Sequence, residues 1–318
     1  MIASKHLSLT FSLGRRLSFG FQVAHRKPFQ RLMTHKGQKT AINSSNYVTD
    51  DENLQGAMRT FQELGLDKSL YDKAGGIRFR QHVNPLKKEL QDPVKPLEWD
   101  KIFEDPFKPL ILDVGSGYGR FLLGLSKIIH DSNCLGLEIR EPIIQRANKW
   151  SFHLGMQNRV YFTKANATVS IASMLSTYPG PVQLVLVQYP DPHFKKKHRK
   201  RRIVQLEFVE SILEVLAEDG KIFLQSDVLE VAEDMRNKFE LGSKGQLTLS
   251  EEHSGSGTVF FEESKPEEGR DTRMEDTLTW KKGGWLVRNP LPVPTERECH
   301  VLEQGLPVYR VMLTRSAS

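Results

Sequence analysis

From Leu110 onward, apolar runs of strand length alternate with segments long enough to form helices. Five runs occupy residues 110–114, 134–139, 160–164, 182–188 and 221–226, and a sixth lies at residues 308–314. Strands joined by helical crossovers run parallel, and the helices cover both faces of the sheet. We therefore predict an α/β fold over residues 110–318, with a mostly parallel sheet of about seven strands.

The spacing of apolar residues also predicts individual helices. Residues 120–129 follow the first strand, and a second helix starts near Ile203. From there apolar residues recur every three or four positions as far as Leu216, and Asp219 with Gly220 then supplies a stop signal.

Two regions lack this regular alternation. Residues 50–109 are polar with repeated Pro and Gly, which indicates an irregular lead-in with one short helix around residues 55–65. Residues 242–290 are rich in Gly, Ser and Glu, and we expect a flexible insertion there.

The N-terminal segment has a composition of its own. Residues 1–49 contain eight Lys or Arg and no Asp or Glu, so that the formal net charge of +6 becomes −2 for residues 50–318. Acid-free, Ser-rich segments with spaced apolar residues are typical of organellar transit peptides. We interpret residues 1–49 as a disordered, cleaved transit peptide, and the alternative is a basic arm that stays attached and touches nucleic acid.

Other targeting classes and a disulfide framework are disfavoured. Arg and polar residues interrupt the apolar positions of the first segment, which argues against a secretory signal. No apolar run reaches the ~18 residues that a membrane helix needs. Cys134 and Cys299 are the only cysteines, so we expect no disulfide framework and a protein that works reduced.

A glycine-rich turn follows the first predicted strand. Asp113 precedes Gly115, Gly117 and Gly119, and a helix should follow. Such a turn lets the backbone approach a ligand closely and exposes helix N-terminal amides. A dinucleotide is disfavoured, because Arg120 stands where the fingerprint needs its last glycine.

An acid before a turn with alternating glycines is similar to the S-adenosylmethionine loop of class I methyltransferases. Glu138 ends the second strand, where a carboxylate can accept both ribose hydroxyls, and Asn166 follows the third, where an amide can read the adenine edge. Each residue alone is also compatible with a surface acid or a turn. Their placement on successive strands favours S-adenosylmethionine as cofactor.

Asp191 lies between two prolines and four residues ahead of a basic run, which we define as the eight consecutive Lys, Arg or His residues 195–202. The strand predicted at residues 182–188 places this carboxylate at the edge of the sheet where open α/β folds bind ligands. A fixed carboxylate beside a cationic surface suggests an enzyme that acts on a polyanion. The simpler alternatives are a helix-capping aspartate and a basic run that is a solvated face or a nuclear localisation signal.

Several blocks together resemble the tRNA (guanine-N7)-methyltransferase family in its plant and cyanobacterial form. The resemblance covers residues 75–314 and rests on residues 78–86, Glu138-Ile-Arg140, Asn166-Ala167, Pro190-Asp-Pro-His-Phe194, Ser226-Asp227 and Thr295-Glu-Arg-Glu298. The ending over residues 301–310 is similar to cyanobacterial and plant members. It therefore predicts a chloroplast protein, with the mitochondrion as the alternative.

The resemblance implies a Rossmann-like class I fold and methylation at N7 of the variable-loop guanine of tRNA (position 46). Asp191 would be the catalytic residue. The cofactor would be held by Asp113, Gly115, Gly117, Glu138, Arg140, Asn166 and Ala167. Substrate would be bound by Lys195, Lys196, Lys197, Arg199, Asp227, Thr295 and Glu298. For Asp227, Thr295 and Glu298, ordinary capping remains the alternative.

The chemistry itself defines what Asp191 would do. Guanine N7 carries an in-plane lone pair, so attack on a sulfonium methyl group needs no general base. The enzyme then contributes positioning and electrostatics, and a fixed carboxylate favours the cationic purine as it forms. We therefore expect Asp191 to hold the guanine and stabilise its charge.

We expect tRNA as partner, no metal, no membrane contact, and a monomer or homodimer without an obligatory partner subunit. Two other functions remain open. One is a class I methyltransferase that acts on another RNA base, on rRNA or on protein. The other is a non-catalytic RNA-binding subunit, which the intact glycine loop and Asp191 disfavour.

Overall fold

The computed structural model describes residues 61–62, 65–66, 83–254, 257–261 and 278–317. The predicted transit peptide, residues 1–49, lies outside the described residues. So does most of the short helix expected around residues 55–65, of which Phe61 and Gln62 are helical.

A seven-stranded sheet forms the centre of the fold. Its strands in chain order are β1 (Leu110–Val114), β2 (Asn133–Glu138), β3 (Val160–Lys164), β4 (Val182–Gln188), β5 (Leu216–Ser226), β6 (Leu247–Leu249) and, as the last strand of the chain, β9 (Tyr309–Arg315). The spatial order is β3-β2-β1-β4-β5-β9-β6. β1 to β5 are parallel, and β9 runs antiparallel between β5 and β6. This is the mostly parallel sheet that the alternation predicted, with the reversal of strand order at β1 and β4.

The fifth strand begins earlier than the sequence indicated. β5 starts at Leu216, which pairs with Val182. Asp219 and Gly220, which were predicted to end the preceding helix, therefore lie inside the strand. Asp219 has a left-handed φ of 58° and Gly220 follows it, and both fall within an irregularity of the β4–β5 register. A bulge and a helix C-terminus use the same residue types, which explains the error.

Seven α-helices accompany the described strands. They are α1 (Trp99–Ile102), α2 (Arg120–Ile128), α3 (Glu141–His153), α4 (Ala167–Leu175), α5 (Leu206–Val215), α6 (Leu229–Ser243) and α7 (Glu296–Glu303). α4 and α7 have side-chain caps: the Asn166 carbonyl accepts from the Thr168 amide, and the Thr295 hydroxyl accepts from the Glu298 amide.

Alternation along the strands divides the core between the two faces of the sheet. Leu110 and Leu112 belong to one cluster, which is completed by α1, α4, α5 and α6. Ile111 points into the other cluster, with α2 and α3. Helices therefore cover both faces, as predicted for a doubly wound fold.

The segment predicted as a loop over residues 242–290 is partly regular. α6 continues to Ser243, and β6 adds an edge to the main sheet through β9. A second, two-stranded sheet pairs β7 (Thr258–Val259) with β8 (Trp285–Leu286). These pairings connect partners distant in sequence, so local composition did not reveal them. Residues 255–256 and 262–277 lie outside the described part.

The lead-in packs along α4, next to the site. The Val94 amide donates to the Ser170 hydroxyl at 3.2 Å, and the Ser173 hydroxyl donates to the Val94 carbonyl at 2.7 Å. The Trp99 indole N–H donates to Thr177 at 3.1 Å. These bonds hold the lead-in against the helix that follows β3.

Candidate active site

One pocket opens at the carboxyl ends of β1 to β4, the edge where the sequence predicted a ligand site. It brings together residues predicted to bind the cofactor and Asp191, the predicted catalytic residue. Six of the predicted site residues line it, namely Gly115, Glu138, Arg140, Asn166, Ala167 and Asp191. Asp113 lies in β1 and Gly117 in the adjoining loop, and none of the seven predicted substrate residues lines the pocket.

The glycine loop leaves open space on its ligand side. A Cβ placed on Gly115, which has φ of 81°, would meet no atom within 4 Å, and one on Gly117 would touch only the Gly115 carbonyl at 4.0 Å. The amides of Gly115 and Ser116 both donate to the Leu137 carbonyl at 2.9 Å, which ties the loop to β2. The buried Ser116 hydroxyl has no hydrogen-bond partner within the described residues.

Gly119 is required for a different reason, which is close packing beneath the loop. It precedes α2 with φ of 81°, and a Cβ there would lie 2.7 Å from the Phe162 ring and 2.9 Å from the Ala147 methyl group. The loop thus rests on a buried aromatic ring of β3. Any side chain at Gly119 would displace it.

Asp113 lies within β1, beneath the pocket, and is 4% exposed. Burial raises the pKa of its carboxyl to about 7, a hydrogen bond from Gln188 opposes this rise, and the Glu138 carboxylate adds to it. The Asp113 carboxyl therefore changes charge near neutral pH.

Glu138 and Arg140 form an ion pair at the end of β2. The Arg140 guanidinium donates from Nε to Oε1 of Glu138 at 3.0 Å and from Nη2 to Oε2 at 2.8 Å. Oε1 also accepts from the Ile139 and Arg140 amides. Burial opposes the charge on Arg140, but the hydrogen bond and charge of Glu138, assisted by Asp191, raise its pKa. Oε1 accepts three hydrogen bonds, whereas Oε2 accepts from Arg140 Nη2, so Oε2 is the oxygen better suited to accept from a ribose hydroxyl.

Asn166 lines the pocket and also makes contacts within the chain, while its contact with the cofactor stays a prediction. Its amide nitrogen donates to the Leu90 carbonyl at 2.9 Å and to the Pro85 carbonyl at 3.2 Å. Its side-chain oxygen accepts from the Thr168 amide at 3.3 Å. Asn166 thus secures the lead-in to the pocket and caps α4, so both ends of its amide are engaged within the chain.

The loop that carries Asp191 is conformationally constrained. Tyr189 has φ of 49° and His193 has φ of 44°, both left-handed values that non-glycine residues rarely adopt. Between them Pro190 and Pro192 fix φ on either side of Asp191. The next helical turn begins at Lys196, with Lys195 at its N-cap and no side-chain cap bond, so the capping interpretation of Asp191 is wrong.

The basic run is divided between exposed lysines and paired arginines. Lys195, Lys196 and Lys197 are exposed. Arg199, in contrast, donates to Glu230 at 2.8 Å, and the 5% exposed Arg202 pairs with Glu230 and, at 3.3 Å, with Asp234. α6 thus supplies a partner for Arg199, and the contact of Arg199 with tRNA phosphates stays a prediction.

The three substrate residues expected near the C-terminus have internal partners. Asp227 pairs with Arg297, and Thr295 caps α7. Glu298 is 1% exposed and accepts from Arg310 at 2.7 Å. These residues therefore have the capping and pairing contacts that were the alternative, and their contacts with substrate stay predictions.

The sequence did not single out every pocket residue as a site residue, and three of those that it missed carry amide, imidazole or guanidinium groups. They are Gln188, His193 and Arg201. Arg201 is the arginine of the basic run that lines the pocket, and its buried Nε has no hydrogen-bond partner within the described residues. Burial, then the charges of Arg201, His198 and Arg202, lower the pKa of His193, while Asp191 opposes them. Periodicity cannot distinguish a pocket-lining arginine from its paired neighbours.

Comparison with known proteins assigns the family. A methyltransferase family model matches residues 107–277. The "tRNA (guanine-N(7)-)-methyltransferase" of Synechococcus sp. (strain JA-3-3Ab) is 39% identical over 244 residues, which are 76% of this chain and 88% of that protein. The chain belongs to the tRNA (guanine-N(7)-)-methyltransferase family.

Other relatives support the assignment over almost their full length. The protein of the same name from Trichormus variabilis is 39% identical over 240 residues, 75% of this chain and 96% of the relative. The Synechocystis protein is 35% identical over 76% of this chain and 98% of its own. A solved rRNA methylase from Streptococcus thermophilus overlaps with a TM-score of 0.36 at 12% identity, covering 69% of this chain and 92% of that one, which adds nothing to the assignment.

The residues present fit S-adenosylmethionine, the cofactor of this methyltransferase. The open space over Gly115 and Gly117 admits a ligand close to the backbone, and the buried Ser116 hydroxyl lies in the same loop. The acids Asp113 and Glu138 provide negative charge for a cationic cofactor. Within the described residues, no group of three or more His, Cys, Asp or Glu is arranged to hold a metal ion. No described helix is long and apolar enough to span a bilayer.

Proposed function

We propose that this chain transfers the methyl group of S-adenosylmethionine to N7 of a guanine in tRNA, with the variable-loop guanine as target. The observation that carries the proposal is the position of Asp191. Its carboxylate lines the same pocket as Glu138 and Arg140, and the exposed lysines of the basic run follow four residues later. The names of the curated relatives supply the reaction.

The cofactor half of the site would be formed by the glycine loop and the end of β2. When bound, S-adenosylmethionine supplies a methyl group activated by a sulfonium. Gly115 and Gly117 leave room for it, and Glu138, fixed by Arg140, presents Oε2 to hydroxyl donors. Because Glu138 is 5% exposed and its orientation is set by four donors, it needs little reorganisation on binding.

The guanine half would be formed by the loop of residues 189–193. Asp191 can accept the N1 and N2 hydrogens of guanine and remains close as the ring becomes cationic. No proton has to leave N7, so the residue acts by holding the base and stabilising charge. The lowered pKa of His193 keeps its imidazole neutral at neutral pH, so that it does not compete with the purine for the carboxylate.

The exposed lysines would bind the tRNA backbone. Lys195, Lys196 and Lys197 face solvent directly after the Asp191 loop. Neutralising phosphates releases counterions, which makes binding strong at low salt and weak at high salt. The paired Arg199 and Arg202 instead hold this surface on α6.

Mapping the product tests the reaction. Full-length protein is incubated with tRNA and S-adenosylmethionine labelled in the methyl group, and the product is treated with borohydride and aniline. A strand break at the variable-loop guanine is expected, because only N7-methylguanine is cleaved in this way. Label without cleavage would favour a different base, and tRNA binding without label would favour a non-catalytic subunit.

We also propose that the chain acts in the chloroplast without an obligatory partner subunit. The acid-free composition of residues 1–49 and the cyanobacterial origin of the relatives support this location. Residues 1–49 fused to a fluorescent protein should direct it to plastids. Accumulation in mitochondria would favour the alternative organelle, and nuclear accumulation would favour an attached basic arm.

A further inference from the structure

A line of polar side chains crosses the sheet from Asp113 in β1 to Glu298 in α7. Gln188 on β4 and Gln225 on β5 are register partners, and Gln225 Nε2 donates to Gln188 Oε1 at 2.7 Å. At one end, Asp113 is the register partner of Leu186, so the Gln188 side chain projects from the same face of the sheet two positions further along β4. From there Gln188 acts as a hydrogen-bond donor that lowers the pKa of the Asp113 carboxyl. At the other end Gln225 Nε2 makes a longer contact of 3.4 Å with Glu298 Oε2. The line therefore begins at the cofactor half of the pocket and ends at a residue expected to bind substrate.

The direction of these hydrogen bonds is set by Glu298. An ionised carboxylate only accepts, and it is already held by Arg310 at 2.7 Å and by Asn289 at 2.8 Å. Gln225 must turn its NH₂ group toward Glu298, although this leaves its buried Oε1 without a partner within the described residues. Gln188 must then present its oxygen to Gln225, so that its NH₂ group remains for Asp113.

We propose that Glu298, Gln225 and Gln188 are positioning residues for the cofactor, which together aim a hydrogen-bond donor at the Asp113 carboxylate. The assignment rests on the proposed function, since it takes Asp113 as a cofactor residue. It also replaces the expected role of Glu298. Glu298 is 1% exposed and does not line the pocket, so it acts on the site through the two glutamines.

The surroundings of Asp113 explain why a donor is needed there. Burial and the nearby Glu138 carboxylate both favour the neutral acid, and the Gln188 hydrogen bond favours the ionised form. Cys134, whose thiol is close enough to be affected by the charge of Asp113, has a pKa raised by burial to about 12 and stays neutral. The ionised Asp113 is the form that attracts the ammonium group of the cofactor. Loss of the donor should therefore move the pH needed for binding upward.

The test compares four variants of the full chain by binding of S-adenosylhomocysteine between pH 6 and 9, measured calorimetrically, and by the KM for tRNA. Gln188→Met and Gln225→Met keep side-chain length but remove the hydrogen bonds. Glu298→Gln exchanges a carboxylate oxygen for an NH₂ group, which must then face Arg310 or Asn289. Gln183→Met is the matched control, because Gln183 lies on the same strand as Gln188 but its amide donates to the Asp219 carbonyl, away from Asp113.

For Gln188→Met we expect the dissociation constant near pH 7 to rise roughly tenfold, the size typical of one hydrogen bond to a charged group. Binding should recover toward higher pH. Gln225→Met and Glu298→Gln should shift the pH profile in the same direction by less, and Gln183→Met should leave it unchanged. The KM for tRNA should change little in all four.

Two outcomes would overturn the proposal. One is wild-type binding of S-adenosylhomocysteine by Gln188→Met across the pH range. The other is a raised KM for tRNA with an unshifted cofactor profile in Glu298→Gln, which would make Glu298 a substrate contact. If the methionine variants do not fold, Glu298→Gln alone tests the proposal, since it replaces only one carboxylate oxygen by an NH₂ group. Cofactor binding is read without methyl transfer, so failure of the proposed tRNA reaction would be seen separately in the product mapping.

Discussion

Arg140 donates two hydrogen bonds to the carboxylate of Glu138, from Nε to Oε1 at 3.0 Å and from Nη2 to Oε2 at 2.8 Å. The negative charge of Asp191 also raises the pKa of the same guanidinium. One arginine is thus shared by the acid assigned to the cofactor and the acid assigned to the guanine. The two halves of the site are electrostatically coupled through it.

The first prediction concerns this pair. Glu138→Gln removes the negative charge and replaces one of the two oxygens that accept from Arg140. S-adenosylhomocysteine should therefore bind roughly 10-fold to 100-fold more weakly, as expected for about 1.5–3 kcal/mol. Isothermal titration calorimetry checks it. Glu141→Gln, an exposed acid at the start of α3, is the matched control and should bind as the wild type. Equal affinities for both variants would remove Glu138 from the cofactor site.

The second prediction separates the exposed lysines from other surface charge. Changing Lys196 and Lys197 together to Ala should weaken tRNA binding and reduce the slope of log affinity against log salt by up to about 2, because each lost phosphate contact contributes ~0.7–0.9. Cofactor binding should not change. Filter binding over a series of salt concentrations measures the slope.

Lys281 and Lys282, also exposed, provide the control pair for that measurement. Their double Ala variant should retain the wild-type slope. A slope that falls equally in both double variants would indicate that tRNA binding follows overall charge and not the surface beside Asp191.

The third prediction concerns Arg202, which belongs to the basic run but is buried. It pairs with Glu230 and Asp234 and donates to the Pro192 carbonyl at 2.9 Å. Arg202→Ala should lower the free energy of unfolding by about 3 kcal/mol, the low end for a broken buried pair because Glu230 remains partly exposed. Urea denaturation measures it. Loss of tRNA affinity at unchanged stability would instead make Arg202 a phosphate contact.

The fourth prediction is a pH dependence of stability through His253. Its Nε2 accepts from the Met312 amide at 3.1 Å and its Nδ1 lies 3.3 Å from the Gly283 carbonyl, so the neutral ring connects β9 to the residues before β8. Burial lowers its pKa, while the Gly283 bond and the charge of Glu252 oppose this shift. A depressed histidine pKa contributes stability above the unfolded-state pKa, and that stability is lost as pH falls through the folded-state pKa.

Thermal unfolding between pH 5 and 8 checks this expectation. The melting temperature should fall toward acid pH in the wild type. In His253→Gln, whose amide can replace both bonds without titrating, this part of the fall should be absent. Parallel melting curves for the two proteins across the range would show that His253 does not contribute.

Much of the sheet could be predicted because each central strand is a continuous apolar run. The bounds expected for β1, β3 and β4 agree with the structure residue for residue. The start of β5 was wrong, since a left-handed Asp219 followed by glycine is compatible with both a helix end and a bulge. β6 was missed because its pairing partner, β9, lies more than 60 residues away in the sequence.

The pocket residues at strand ends could likewise be predicted, because topology brings the carboxyl ends of parallel strands together. The ion-pair partners that lie on other helices and strands could not be predicted. Nothing local to Arg199 indicates that Glu230 pairs with it, and nothing local to Glu298 indicates burial against Arg310. Only tertiary packing decides which charged side chain is free to meet a ligand.

The most direct test of the central claim is the rate of methyl transfer to tRNA by Asp191→Asn. Asparagine keeps the size of the side chain and removes the charge that favours the methylated purine. The turnover rate should fall about 100-fold or more, the loss typical of removing one electrostatic stabiliser, with S-adenosylhomocysteine binding and folding retained. A rate equal to that of the wild type in a folded, cofactor-binding variant would contradict the role of Asp191.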